Sequence, residues 1–280
     1  MTPLSSRGAT PAPSLVARGL VLKLGGELLE TTEGRARIAK LAASIAKTRA
    51  LIIVHGGGRA IDVELDRRGI APKKIDGLRV TDAPTLDAVV AVLAGSANTE
   101  LVGACVVAGV PAVGLTGVDS AFCRASRVRA HRTASGASAD LGLVGDPSDI
   151  DARLLSALLS SGFVPVVASL GVDANDGSIL NVNADVMACR IAAAADDTDL
   201  VIAGATAGVF DANGKTIAEL DGRAIDAMIA DGSASAGMIA KLNACREALL
   251  GGVGSVRIVD GRALGAGHGI ADAPGTRIVK

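Results

Sequence analysis

The chain has 280 residues, of which 49% are hydrophobic, and a formal net charge of −1. That length is enough for one large or two medium domains, and the balanced charge gives no electrostatic argument for nucleic acid or a membrane surface. Four dispersed cysteines (Cys105, Cys123, Cys189, Cys245) without C-x-x-C spacing read as free thiols in a reducing compartment, and with only three Phe and no Trp or Tyr, base stacking can add little to binding.

Residues 1–19 contain Pro3, Pro11 and Pro13 and no apolar signal-peptide core, so they read as a disordered arm. No apolar run approaches the roughly 20 residues of a membrane span, and the protein reads as soluble and cytoplasmic. Residues 20–26, L-V-L-K-L-G-G, form a predicted strand with Lys23 just before paired glycines. Residues 30–47 carry Ile38, Leu41, Ala42 and Ile45 at helical spacing. Residues 51–58, L-I-I-V-H-G-G-G, read as a strand buried on both faces and ended by three glycines, with a helix resuming over 61–68. Residues 73–81 read as a loop around Arg79, and Thr81 as the cap of a long helix reaching residue 108, interrupted at Gly95. A short strand follows at 111–115.

Between residues 119 and 145 the pattern loosens around Arg124, Arg127, Arg129, Arg132 and His131; a β-hairpin lid and a solvated surface loop both fit. A helix over 151–161 and a buried strand over 164–169 come next. The turn-rich residues 171–177 mark the best boundary, dividing residues 20–172 from 173–280. Beyond it, N-V-N-A-D (residues 181–185) leads into an alanine-rich helix over 184–195. A strand at 200–203, a glycine-containing loop to 211, helices over 221–230 and 235–250, and strands at 256–259 and 277–279 complete the chain. Strands alternating with helices define an α/β protein whose mostly parallel sheet is covered on both faces.

The two glycine-ended strands carry the chemistry. Turns of this kind sit at the carboxyl edge of a parallel sheet, where successive backbone N–H groups and a helix N-terminus can close on an anion. With Lys23 they form a cradle for a transferable phosphoryl group; two tight turns without a ligand are the alternative. Neither G-x-x-x-x-G-K-[ST] nor G-x-G-x-x-G is present. His55 reads as a structural hydrogen-bonder and not as a base. Lys241 in G-M-I-A-K, Asp185 and Arg79 are the remaining charged residues in apolar or glycine-rich surroundings. Each alone fits a surface ion pair or cap. Together they suit phosphoryl transfer, in which the protein positions reactants and neutralises charge, and an arginine can grip a carboxylate bidentately.

K-L-G-G (23–26), H-G-G-G (55–58), G-L-R-V-T (77–81), N-V-N-A-D (181–185) and G-M-I-A-K (237–241), in that order, resemble the amino-acid kinase superfamily and within it the acetylglutamate kinases. The resemblance implies a three-layer αβα sandwich, with an acyl-substrate half over 20–172 and a nucleotide half over 173–280. It implies that Lys23 and Lys241 stabilise the transition state and that Asp185 orients them. Backbone N–H groups of Gly26, Gly57 and Gly58 would hold the γ-phosphoryl group, with Gly25 and Gly56 in the same turns. Gly57, Gly58, Arg79 and Asn181 would bind the acyl substrate, and Gly204, Ala205, Gly208 and Gly237 the nucleotide. The implied reaction is ATP-dependent phosphorylation of N-acetyl-L-glutamate in arginine biosynthesis, with Mg²⁺ entering on ATP and no resident metal. A sister kinase for another blocked amino acid, or a regulatory protein without turnover, is the alternative.

One departure stands out: Gly204 and Ala205 occupy the place where the family usually has a hydroxyl residue followed by Asp. Arginine-inhibited members also carry an interlocking N-terminal helix, which the prolines before Leu20 oppose, and a longer C-terminal segment. A homodimer insensitive to L-arginine is the expectation.

Overall fold

Leu20, Leu22 and Leu24 alternate with Val21 and Lys23, and this alternation sets the layers of the molecule. The computed structural model describes residues 19–133, 136–195, 197–234 and 236–280, so the arm read over residues 1–19 lies outside the described residues except for Gly19. Strand β1 (Gly19–Leu24) leads through a short 3-10 turn to α1 (Thr32–Ala46), then β2 (Leu51–His55) and α2 (Gly58–Arg67). Thr31 caps α1, its hydroxyl accepting from the Gly34 N–H. Residues 73–81 are not a plain loop: β3 (Lys74–Ile75) and β4 (Leu78–Arg79) pair antiparallel around Asp76 and Gly77, at φ 50° and 81°. Asp-Gly with both residues at positive φ is the turn that matches strand twist.

Next come α3 (Ala83–Val90), a π-helical turn (Ala91–Ala97) and α4 (Asn98–Val107). The cap of α3 is Asp82 and not Thr81: the Asp82 carboxylate accepts from the Thr85 N–H at 2.9 Å, while Thr81 is buried and bridges to Gly142. Gly95 (φ −95°, ψ −106°) interrupts the helix at the position read from the sequence. The whole stretch Ala83–Val107 has mean hydropathy 1.6 over its most apolar window, which by length and composition is enough to cross a membrane. Asp87 and Glu100 break the stretch into shorter apolar runs in the sequence, so the helix is long while no single run is. Here it packs on α1, α2 and the sheet.

The chain continues through β5 (Ala112–Thr116), β6 (Cys123–Arg127), a hairpin of β7 (His131–Arg132) and β8 (Ser138–Ala139), β9 (Val144–Ile150) and α5 (Arg153–Ser160). The hairpin reading of this region therefore matches the pairing. Then follow β10 (Val164–Ala168), β11 (Leu170–Asp173), β12 (Ile179–Val182), α6 (Ala184–Ala194), β13 (Thr198–Gly204), β14 (Glu219–Leu220), α7 (Gly222–Ala230), α8 (Ala236–Leu250), β15 (Val256–Asp260) and β16 (Gly275–Ile278).

Eight strands form the central sheet in the order β14-β16-β15-β13-β1-β2-β10-β5, with β15 and β16 antiparallel and the other pairs parallel. The leucines of β1 pack with Ile38, Leu41, Leu101 and Cys105 from α1 and α4. Val21, Ile52 and Val54 face the opposite layer, with Leu155, Met187, Ile225 and Leu242 from α5, α6, α7 and α8. The result is a three-layer αβα sandwich, as expected. A small closed barrel of β6, β9, β11 and β12 stands beside it. Residues 171–177 are not a linker: they form the β11–β12 hairpin within that barrel, and strands from before and after it share one sheet and one core. All four cysteines are free and buried.

Candidate active site

Lys23 is the penultimate residue of β1, opposite Val54 on one side and Ile202 on the other. Strand alternation turns it away from the leucines, toward the start of α6. There Asn183 is the cap: its Oδ1 accepts from the N–H groups of Asp185 at 2.8 Å and Val186 at 3.2 Å, which fixes Asp185 in the first turn. Lys241 comes from α8. Its Nζ is 3.6 Å from Asp185 Oδ2, and Lys23 Nζ is 2.8 Å from Asp185 Oδ1. The three side chains are 11%, 17% and 14% exposed for Lys23, Lys241 and Asp185. Burial alone would raise the Asp185 carboxyl, but the two ammonium groups outweigh it and hold the group below the ordinary carboxylate range. Two cations are thereby held side by side on one anion, an arrangement with a positive charge to spare.

The two glycine turns meet backbone to backbone. A Cβ added to Gly26 would stand 3.1 Å from both Gly57 C and Gly58 N, and one added to Gly57 would reach within 2.9 Å of Leu93 Cδ2. Close approach accounts for glycine at both positions. Gly56 faces the start of α6, 3.4 Å from Ala184 Cβ for an added Cβ, whereas Gly58 faces open space. Helix α2 starts here without a side-chain cap, and the N–H groups of Gly26, Gly57 and Gly58 have no acceptor among the described residues. Three unpaired donors at adjoining turns, one pair at a helix N-terminus, form an anion cradle. A cavity of about 400 Å³ opens beside it, lined by Gly26, Gly56, Gly57, Leu29, Arg35 and Arg59 among others; the Lys23–Asp185–Lys241 set does not line it.

Arg79 is buried at the end of β4. Its Nη2 donates to Asp62 Oδ1 at 2.5 Å and to the Gly58 carbonyl at 3.3 Å, so α2 holds the guanidinium beside the cradle. Its Nη1 is buried without a partner among the described residues, a donor left for a ligand. Lys74 also binds Asp62, at 2.8 Å. Although burial opposes it, the bonds from Lys74 and Arg79 hold the Asp62 carboxyl below its ordinary value. Asn181 donates to Thr81 Oγ1 at 3.1 Å, and that hydroxyl donates to the Arg79 carbonyl at 3.0 Å, which ties Asn181 to the arginine strand. The β3–β4 turn also comes close to α8: an added Cβ at Gly77 would be 3.9 Å from Gly237 Cα.

On the remaining side, Gly204 ends β13 and Ala205 is exposed. Added Cβ atoms on Gly25 and Gly204 would each meet the Glu27 carboxylate, which therefore lies over both residues. Gly208 has a structural reason of its own: at φ 99°, an added Cβ would come within 2.5 Å of Thr276 Oγ1 in β16. Among the described residues no group of three or more His, Cys, Asp or Glu could hold a metal ion. His55 is buried, with Nε2 3.0 Å from Asn98 Nδ2, in keeping with a structural hydrogen-bonder. Asp62, Asn98 and Glu27 escaped sequence reading. None belongs to a recognisable motif, and each acts through a contact distant in sequence or across a turn.

The chain belongs to the amino acid kinase family, a family of phosphotransferases, whose model matches residues 18–260. An acetylglutamate kinase from Koribacter versatilis (strain Ellin345) is 41% identical over 241 residues, covering 86% of this chain and 89% of the relative. One from Acidiphilium cryptum (strain JF-5) is 44% identical over 215 residues, covering 75% and 72%. Among solved structures, N-acetylglutamate synthase from Neisseria gonorrhoeae complexed with coenzyme A and N-acetyl-glutamate matches with TM-score 0.79 at 23% identity, a likeness of fold. That match covers 94% of this chain, which spans only 59% of the longer protein. The resemblance carried by the five motifs thus holds.

Proposed function

We propose that this chain transfers the γ-phosphoryl group of ATP to the side-chain carboxylate of N-acetyl-L-glutamate, giving N-acetyl-L-glutamyl 5-phosphate for arginine biosynthesis. The observation that carries the reading is the Asp185 carboxylate set between Lys23 and Lys241 next to three unpaired glycine N–H groups. The acetylglutamate kinases at 41% and 44% identity support the choice of acyl group.

In this account the substrate carboxylate oxygen attacks the γ-phosphorus in line, and ADP leaves. Charge on the transferring group is met by the Lys23 and Lys241 ammonium groups and by the N–H groups of Gly26, Gly57 and Gly58, with Gly25 and Gly56 completing the turns. Asp185 does no proton transfer; it keeps two like charges within reach of one another. Arg79 Nη1 and Asn181 receive the α-carboxylate of the acyl substrate. The 20–172 half supplies the acyl site, with Asn181 reaching in from the 173–280 half, while Gly204, Ala205, Gly208 and Gly237 border the nucleotide. Mg²⁺ bound to ATP would supply charge neutralisation at the phosphates, and since one or two protein carboxylates suffice for such an ion, the Glu27 carboxylate, which lies over Gly25 and Gly204, would be the group on this side to contact it.

The working form in this reading is a cytoplasmic homodimer built through the N-terminal half. Supporting it, β5 is an edge strand of the central sheet, and Val106, Val107 and Phe163 nearby are 57%, 90% and 41% exposed. ADP release measured with a panel of acylated amino acids tests the function: turnover is expected with N-acetyl-L-glutamate above the others, and turnover only with a different blocked amino acid would replace it.

A further inference from the structure

His55 directly precedes the three glycines, and its ring is enclosed by groups that determine where its proton sits. Asn98 Nδ2 is 3.0 Å from His55 Nε2 and donates to the Val166 carbonyl at 2.9 Å. Turning the Asn98 amide over would set its oxygen against the Val166 oxygen, acceptor against acceptor, so the amide nitrogen faces the ring. That nitrogen has only hydrogens to offer, and Nε2 must accept. The ring proton is then on Nδ1, 3.2 Å from the Gly56 carbonyl, to which it donates. Gly114 leaves the room this requires, since a Cβ there would stand 2.1 Å from Asn98 Oδ1.

The Gly56–Gly57 peptide, like the others described, is trans. In a trans peptide the carbonyl and the following N–H point in opposite directions. Holding the Gly56 oxygen on the imidazole therefore turns the Gly57 N–H away from it. That N–H is one of the three that have no acceptor among the described residues.

We infer that His55 and Asn98 are positioning residues for the phosphoryl cradle: the neutral Nδ1–H imidazole, oriented by Asn98, anchors the Gly56 carbonyl and so fixes the direction of the Gly57 N–H. The inference rests on the function proposed above. Burial supports it independently, because it lowers the imidazole pKa to about 4 against a smaller opposing effect of the Gly56 bond, which keeps the ring neutral at physiological pH. No water or solvent path is needed, since the contacts named are all within the protein.

Two variants separate positioning from packing. His55→Leu fills the space without a donor; His55→Asn places an amide N–H near the Nδ1 position but cannot reach Asn98. With ATP and N-acetyl-L-glutamate, His55→Leu is expected to lower kcat by about tenfold or more with little change in either KM, the effect of a weakened oxyanion-type donor. His55→Asn is expected to recover most of that loss, even where its thermal stability is no better. Equal kcat losses in the two variants, or losses that follow thermal stability alone, would overturn the inference. The wild-type protein supplies a measurement independent of mutant folding: nitrogen NMR of the labelled histidine rings, assigned with His131→Gln and His268→Gln, should show His55 protonated on Nδ1 and bare on Nε2. A ring protonated on Nε2 would overturn this inference alone, whereas a wild-type protein without turnover would count against the function on which it rests.

Discussion

Lys23, one residue from the carboxyl end of a strand paired on both sides, carries its ammonium 2.8 Å from the Asp185 carboxylate at the start of a helix packed on that strand. Lys241 shares the same carboxylate at 3.6 Å. Contacts made to charge that develops in the transition state should appear in kcat. Lys23→Ala and Lys241→Ala should each cost about 2–4 kcal/mol of transition-state stabilisation with KM little changed. Steady-state kinetics with near-normal kcat in either variant would remove that lysine from the mechanism. Asp185→Ala differs in kind, since it leaves two ammonium groups with no counter-charge in a buried place. A loss of about 3–5 kcal/mol of folding stability is expected on top of the lost activity, read from the urea midpoint.

Arg79 behaves as a ground-state ligand in this account, because the carboxylate it meets is charged before and during the reaction. Arg79→Ala should raise KM for N-acetyl-L-glutamate by roughly ten- to a hundredfold, the worth of a hydrogen bond to a charged group, and leave KM for ATP close to normal. Asp62→Asn should move KM in the same direction and by less, since Asp62 only holds the guanidinium. A rise confined to ATP would reverse the assignment of the two halves.

The sequence made the parallel frame legible because strands such as L-I-I-V-H are unambiguous in burial and end in glycine. It also brought Lys23, Asp185, Lys241 and the glycine turns into view through motif order. The barrel of β6, β9, β11 and β12 stayed hidden, since its pairings join segments far apart in the chain and its strands carry Arg124, Pro147 and Asp149 among apolar residues. Residues 171–177 looked like a boundary for the same reason: a turn-rich segment reads alike whether it links domains or closes a hairpin. Thr81 and Asp82 are both good caps, and the choice falls to Asp82 because it accepts from the Thr85 N–H while the Thr81 hydroxyl is taken up by Asn181 and the Arg79 carbonyl. Asp62 and Asn98 are ordinary helix residues until the fold sets them against Arg79 and His55.

Gly204 and Ala205 stand where the family resemblance leads one to expect a hydroxyl and a carboxylate, and Glu27 already covers Gly204. Restoring the pair as Gly204→Ser with Ala205→Asp should tighten ATP in calorimetry if the nucleotide lacks those contacts here. Unchanged or weaker binding would show that Glu27 has taken over that side of the site, with the new carboxylate only adding repulsion.

Acid should destabilise the protein in two separable ranges. His55 has an ordinary pKa of 6.5 and a folded value of about 4, lowered by burial. Below pH 6.5 the unfolded chain takes up a proton that the folded chain refuses, so stability falls with pH until about 4 and then levels off with respect to this group. The shift corresponds to a loss of about 3 kcal/mol across that range. Asp185 and Asp62, both held below their ordinary value of 3.8, contribute stability at higher pH that is lost only as pH falls below it. Urea unfolding of wild type and His55→Asn between pH 7 and 4 checks the first range: the slope attributed to His55 should be absent from the variant, and equal slopes would remove the assignment.

The central claim is that the chain forms an acyl phosphate by phosphorylating a carboxylate, with Lys23, Lys241 and Asp185 as the charged core of the site. Hydroxylamine intercepts an acyl phosphate as it forms, giving a hydroxamate and releasing inorganic phosphate. Incubated with ATP, N-acetyl-L-glutamate and hydroxylamine, the wild-type protein should accumulate hydroxamate in step with ADP, and Lys23→Ala should lose most of both. ADP release without hydroxamate, or hydroxamate formation undiminished in Lys23→Ala, would contradict it.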